Sequence, residues 1–198
     1  MTELFWNQHA GLPLLAMLQL LPLATAALLL KLGERPLSLV LGRTVVAVEL
    51  LLAIILYSQF DSGNPAYQFA ERVDLFGPFS YHAGADGLTV LFVLLGTLIV
   101  FLVMLYSMVR GLFDAARLLA VVLAVEGVMM SMLTTFNLLW FVLASAAELA
   151  LVGYLIGRWS NSPEKGRAMR VFYQFQGVGV LMLTAGVLGI GWAYHDAT

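Results

Sequence analysis

Six apolar runs, at residues 11–30, 42–58, 86–109, 117–134, 137–157 and 169–192, are separated by short charged connections. About 20 apolar residues wound at 1.5 Å per residue cross about 30 Å of hydrocarbon, so each run is sized for one membrane span. In lipid every backbone N–H and C=O must be satisfied within the chain, which leaves helices or a closed barrel. Neither strand alternation nor repeated hairpins accompany the runs, so the expected fold is all-α, a single polytopic membrane domain over residues 1–198. Only 11% of residues are Asp, Glu, Lys or Arg against 61% hydrophobic, too few charges for the surface of a water-soluble globule. The absence of cysteine removes thiol catalysis, disulfides and Cys-ligated metal.

The first run is expected to be retained as a helix, because no Lys or Arg precedes Lys31 and a signal peptide needs a basic start. Pro13 stands near its entrance and Pro22 is a kink position. The second run contains Glu49 and begins near Arg43, with Leu37 to Leu41 able to lengthen it. The longest connection, 59–85, holds Pro65, Gly77-Pro78 and the amphipathic stretch Tyr67-Gln68-Phe69-Ala70, and reads as an exterior loop or a short interfacial helix.

Orientation follows from the basic residues. With both termini outside, Lys31, Arg35, Arg43, Arg110, Arg117, Arg158, Lys165, Arg167 and Arg170 fall inside, and Arg72 is the one exterior member of the ten. The three histidines, His9, His82 and His195, are then exterior, on the periplasmic side of a bacterial inner membrane. The basic segment from Arg158 to Arg170 is explained by topology, with anionic lipid or a cytoplasmic partner subunit as the alternative. No nucleic-acid motif accompanies it.

Three carboxyls remain inside the spans, Glu49, Glu126 and Glu148, where an unpaired ionised group is costly. Glu126 lies nine residues after Arg117 and Glu148 nine before Gly157, so both sit about 13 Å from the cytoplasmic end. The short turn at Thr135-Phe136 makes their helices antiparallel neighbours, the arrangement a shared proton path requires. Glu49 is six residues from Arg43, about 9 Å into its span, where pairing with that arginine or with a partner competes with proton transfer. Secondary candidates are Ser145, one turn before Glu148, Tyr154 as an outlet group, and His82 with Asp86 on the exterior side. Each also has an ordinary structural role, as a helix-end or interface group.

Gly153 and Gly157 form a small-xxx-small pair, and Gly179 lies in a glycine-rich final helix. All three are helix-packing candidates. They lack the strand-turn-helix setting of a phosphate fingerprint, no HExxH or other metal-ligand spacing occurs, and no Ser/His/Asp set suggests hydrolysis. No cofactor, metal or self-contained catalytic site is expected.

The stretch Tyr81-His82-Ala83-Gly84-Ala85-Asp86-Gly87-Leu88-Thr89, followed by Val90-Leu91-Phe92, resembles the entrance to the third helix of complex I antiporter-like subunits of the NuoM type. The resemblance continues through Glu126-Gly127, through Asn137-Leu138-Leu139-Trp140-Phe141 to Ala147-Glu148-Leu149, and through Arg170 to Gln176. It implies an inner-membrane subunit that couples proton or cation movement to a larger machine, with Glu148 as the family's proton-pathway glutamate and Glu126 on the cytoplasmic or lateral route. Related subunits serve Mrp-type cation/proton antiporters, membrane-bound hydrogenases and inorganic-carbon transporters.

In the family a buried lysine on a later helix works with that glutamate, and tryptophan often precedes it. Here no lysine falls within a span and Ala147 precedes Glu148. A companion integral membrane subunit supplying the lysine is therefore implied. Three readings stand, the first two being a membrane subunit carrying part of a glutamate-based proton pathway and a non-conducting scaffold that keeps the family's packing. A self-contained homo-oligomeric transporter is the third.

Overall fold

A computed structural model describes residues 2–76, 79–111 and 113–196. In chain order these form β1 (Glu3–Phe5), α1 (Trp6–His9), α2 (Leu14–Leu32), α3 (Pro36–Gln59), β2 (Tyr67–Phe76), β3 (Phe79–Ala85), α4 (Gly87–Arg110), α5 (Ala115–Thr134), α6 (Leu138–Trp159) and α7 (Lys165–Asp196). The six helices α2 to α7 are each long and apolar enough to cross a membrane. The chain is thus a polytopic helical membrane protein, with a small sheet added at one end. Pro36 occupies the first turn of α3, where its missing N–H costs nothing, so that helix begins six residues before the expected 42.

The connection expected as a loop or interfacial helix is instead a hairpin. β2 pairs antiparallel with β3 and parallel with β1, in the order β1-β2-β3. Alternation failed to announce it because Phe69 adopts a φ of 55° at a register shift between Gln68 and Glu71. This bulge buries Gln68, Phe69, Ala70 and Glu71 consecutively, erasing the period-two signature. Gly77 and Pro78, named within that connection, lie outside the described residues.

Helices α2 to α5 form the core of the bundle, and α5 touches α2, α3, α4 and α6. Near the sheet, Leu14, Leu18, Leu56, Val93 and Met130 close over Phe69 and Ala83. Toward the other end Leu29, Val46, Val100, Leu119 and Leu123 form a second cluster. Close approach depends on glycine: a Cβ at Gly127 of α5 would stand 2.7 Å from Leu23 and 2.9 Å from the Gln19 carbonyl of α2. α6 is mostly half-buried along its length, and α7, packed against α6, presents Phe175, Leu181, Met182 and Trp192 outward.

Polar side chains hold the helix ends. Pro13 cannot cap α2, and the Glu71 carboxylate of β2 takes that place, accepting the Leu15 and Ala16 N–H groups at 2.9 Å each. Tyr81 donates to Glu71 at 3.3 Å, and Gln19 donates to the Tyr81 hydroxyl at 3.1 Å and to Thr134 at 2.8 Å. At the opposite end Glu34 accepts the Ala116 and Arg117 N–H groups that start α5, at 3.2 and 3.0 Å. Asp114, just before α5, pairs with Arg117 and with Arg158 at the end of α6.

Burial pushes the Glu71 carboxyl above its ordinary value of 4.5, against the pull of the Ala16, Leu15 and Tyr81 hydrogen bonds. Between the ordinary and the raised value the unfolded chain has released its proton and the folded chain has not, so stability falls as pH rises through that window. Melting of the chain in detergent is expected to show this decline, and Glu71→Gln is expected to remove part of it. An identical pH profile in the variant would assign the decline to other groups.

Candidate proton-pathway carboxyls

Glu49, Glu126 and Glu148 stand on α3, α5 and α6. Helices α3 and α5 both start at the end carrying most of the basic residues. Glu49 lies 13 residues from Pro36 and Glu126 lies 11 from Ala115, about 20 Å and 16 Å deep. Taking Arg43 as the start of the second span had placed Glu49 too shallow, and the true helix start brings the two carboxyls to similar depth. They come within hydrogen-bonding reach of each other, each residue 1% exposed. The pairing weighed between Glu49 and Arg43 does not form: no ion pair involves either residue among the described residues. Among the described residues none of the four carboxyl oxygens has a hydrogen-bond donor.

Glu148 is elsewhere. It faces a cleft of about 330 Å3 between α6 and α7, shared with Ser145, Val152, Phe172, Gln176 and Gly179 and closed on one side by Met132 of α5. Its Oε2 atom is buried and has no hydrogen-bond partner among the described residues. The matched depth read from the sequence therefore does not join Glu126 to Glu148, because α5 turns Glu126 toward α3 while α6 turns Glu148 toward α7. Ser145 shares the cleft but donates its hydroxyl to the Phe141 carbonyl at 2.8 Å, one turn back along the helix.

The remaining candidates are scattered. Tyr154 is half exposed and meets the Trp159 ring edge-on at a centroid distance of 5.9 Å. His82 reaches Glu3 at 3.2 Å and packs against Phe136, tying β3 to β1 at the sheet end. Asp86 caps α4 by accepting the Thr89 N–H at 2.7 Å, a bond that holds its carboxyl below the usual range. Gly153 lies against the Tyr173 hydroxyl and Gly157 against Met169, both across the α6–α7 contact. Gly179 has open space where a Cβ would stand and lines the cleft. The side chain of His195 lies outside the described residues. Among the described residues no cluster of three or more metal-ligating side chains occurs.

Sequence reasoning missed the chain of hydrogen bonds from Glu71 through Tyr81 and Gln19 to Thr134. Gln19 was its available signal, the one amide side chain in an otherwise apolar first span. It also missed Gly127, whose single-residue signal lay in its place immediately after Glu126.

No family profile matches the chain. It is similar to NADH-quinone oxidoreductase subunit M of Rickettsia conorii, with 29% identity over 87% of the chain and 35% of the relative. The subunit M of Rhodobacter capsulatus shares 30% identity over 87% of the chain and 35% of its own length. Among solved structures, a chain of respiratory complex I from Thermus thermophilus with bound NADH superposes with a TM-score of 0.73 at 29% identity, over 88% of this chain and 35% of that one. The chain thus spans about a third of the length of these relatives. Sequence and fold agree in relating it to the antiporter-like complex I subunits of the NuoM type.

Proposed function

We propose that the chain is a membrane subunit of a multisubunit proton- or cation-translocating complex, and that Glu148 supplies one step of a proton pathway completed by a neighbouring integral membrane subunit. The observation that carries this reading is the buried, unpartnered Glu148 oxygen facing a cleft between α6 and α7. A carboxyl in that position has room for water and for a second polar group, the requirement for passing a proton onward. Resemblance to the antiporter-like subunits, in which a buried lysine works with this glutamate, supports a lysine as the second polar group. Kinship with subunit M supports membership in a respiratory-type assembly.

The membrane is the bacterial inner membrane. Concentration of the basic residues at the end formed by the α2–α3, α4–α5 and α6–α7 connections supports a cytoplasmic location for that end. Both termini and the sheet then face outward.

The exposed apolar face of α7 favours a second reading, a non-conducting scaffold against which partner helices or lipid pack. Gly179 separates the two. Gly179→Leu adds a side chain where the chain itself has space, and so fills the cleft without an internal collision. In the intact complex it is expected to lower proton-coupled flux several-fold with normal recovery of the other subunits. Unchanged flux with poor recovery of partners would favour the scaffold.

A further inference from the structure

The Glu49 and Glu126 carboxyls are more deeply enclosed than Glu148, and the pathway above does not use them. An ionised carboxylate only accepts hydrogen bonds, so two of them within hydrogen-bonding reach have nothing to share unless one carries a proton. All four oxygens are inaccessible and lack a donor among the described residues. No cation pairs with them: Arg43, on α3 itself, makes no ion pair among the described residues, α2 and α4 carry charge only at their basic ends, on Lys31 and Arg110, and the other charges of α5 and α6 are Arg117, Arg158 and Glu148. At Gly127, the residue after Glu126, α2 backbone lies close against α5.

We propose that Glu49 and Glu126 form a single proton-binding site, separate from Glu148, in which the two carboxyls hold one proton between them. The proton turns one carboxyl into a donor to the other, so one bound ion satisfies both groups and halves the buried charge. Two acidic side chains without that proton would leave like charges in contact within hydrocarbon, an arrangement with no compensating partner on any packed helix. The site does not depend on whether Glu148 conducts.

The test is infrared spectroscopy of the full chain in lipid nanodiscs at neutral pH, following the C=O band of protonated carboxyl groups and its shift in heavy water. Wild type is expected to show such a band. Glu49→Gln and Glu126→Gln are each expected to remove it, because the amide N–H replaces the donor that the proton created. Glu148→Gln is expected to leave it in place. Persistence of the band in both Glu49→Gln and Glu126→Gln, or no band in wild type beyond one removed by Glu148→Gln, would overturn the proposal. Where a glutamine variant does not fold, leucine variants serve: the double replacement is expected to lower the melting midpoint less than the sum of the singles, whereas simple additivity would count against a shared proton.

Discussion

In the intact complex, Glu148→Gln is expected to reduce proton-coupled flux by roughly a hundredfold or more, the lower end of what a positioned proton-transfer group contributes. Glutamine keeps the size and shape of the side chain while removing its ability to exchange a proton. The cleft in front of it tolerates the change, because Oε2 makes no hydrogen bond that an amide would disrupt and Gln176 already shares the lining. Assembly should therefore be normal by recovery of the other subunits. Flux at the wild-type level would remove Glu148 from the pathway and leave the scaffold reading in its place. Since the Glu49 and Glu126 pair is separate from the cleft, the infrared band assigned to it should survive in this variant even when flux is lost.

Gly127→Leu is expected to be the most damaging single packing change. Even the first added carbon would stand 2.9 Å from the Gln19 carbonyl oxygen, a backbone atom that cannot rotate away, and 2.7 Å from Leu23. Overpacking typically costs about 1–3 kcal/mol and more where backbone must move, and a leucine adds three carbons beyond the colliding one. At about 2–4 °C per kcal/mol for a chain of this size, a loss near the top of that range lowers the melting midpoint by roughly 6–12 °C. The matched control is Gly179→Leu, where the first added carbon has nothing within 4 Å. Equal melting midpoints for the two variants would show that α2 and α5 part readily at Gly127.

Membrane spans were legible in the sequence because thickness of hydrocarbon imposes a length that no other constraint overrides. The start of α3 at Pro36 was less so, since Ser38 and Arg43 interrupt an otherwise apolar run while the helix itself continues through them. That shortfall propagated into the site: with the helix start misplaced, Glu49 seemed paired near the interface rather than level with Glu126. Helix facing was the other missing quantity. Depth follows from counting residues, but which way a carboxyl points depends on which neighbour its helix packs against, and only tertiary contacts fix that. The hairpin escaped for a local reason, because the bulge at Phe69 buries four successive residues and hides the strand behind a pattern that resembles neither helix nor sheet. Resemblance to the NuoM-type subunits supplied the family without supplying the Glu49 and Glu126 contact.

The two ends of α6 are fastened very differently. At its start the Phe136 N–H donates to the His82 carbonyl at 2.8 Å, Asn137 donates to the Ser80 carbonyl at 3.1 Å, and the Trp140 indole donates to Ser131 at 2.5 Å. At its finish the ties are the exposed pairing of Arg158 with Asp114, the stacking of Arg158 over Phe113, and a long 3.5 Å bond from the Trp159 indole to the Phe113 carbonyl. The start of α6 is thus held to β3 and α5 by hydrogen bonds within the structure, and its finish mainly by side chains at the surface. Glu148 lies near the midpoint of α6, so the hydrogen-bonded start of the helix, rather than its exposed finish, fixes where the carboxyl stands relative to the sheet.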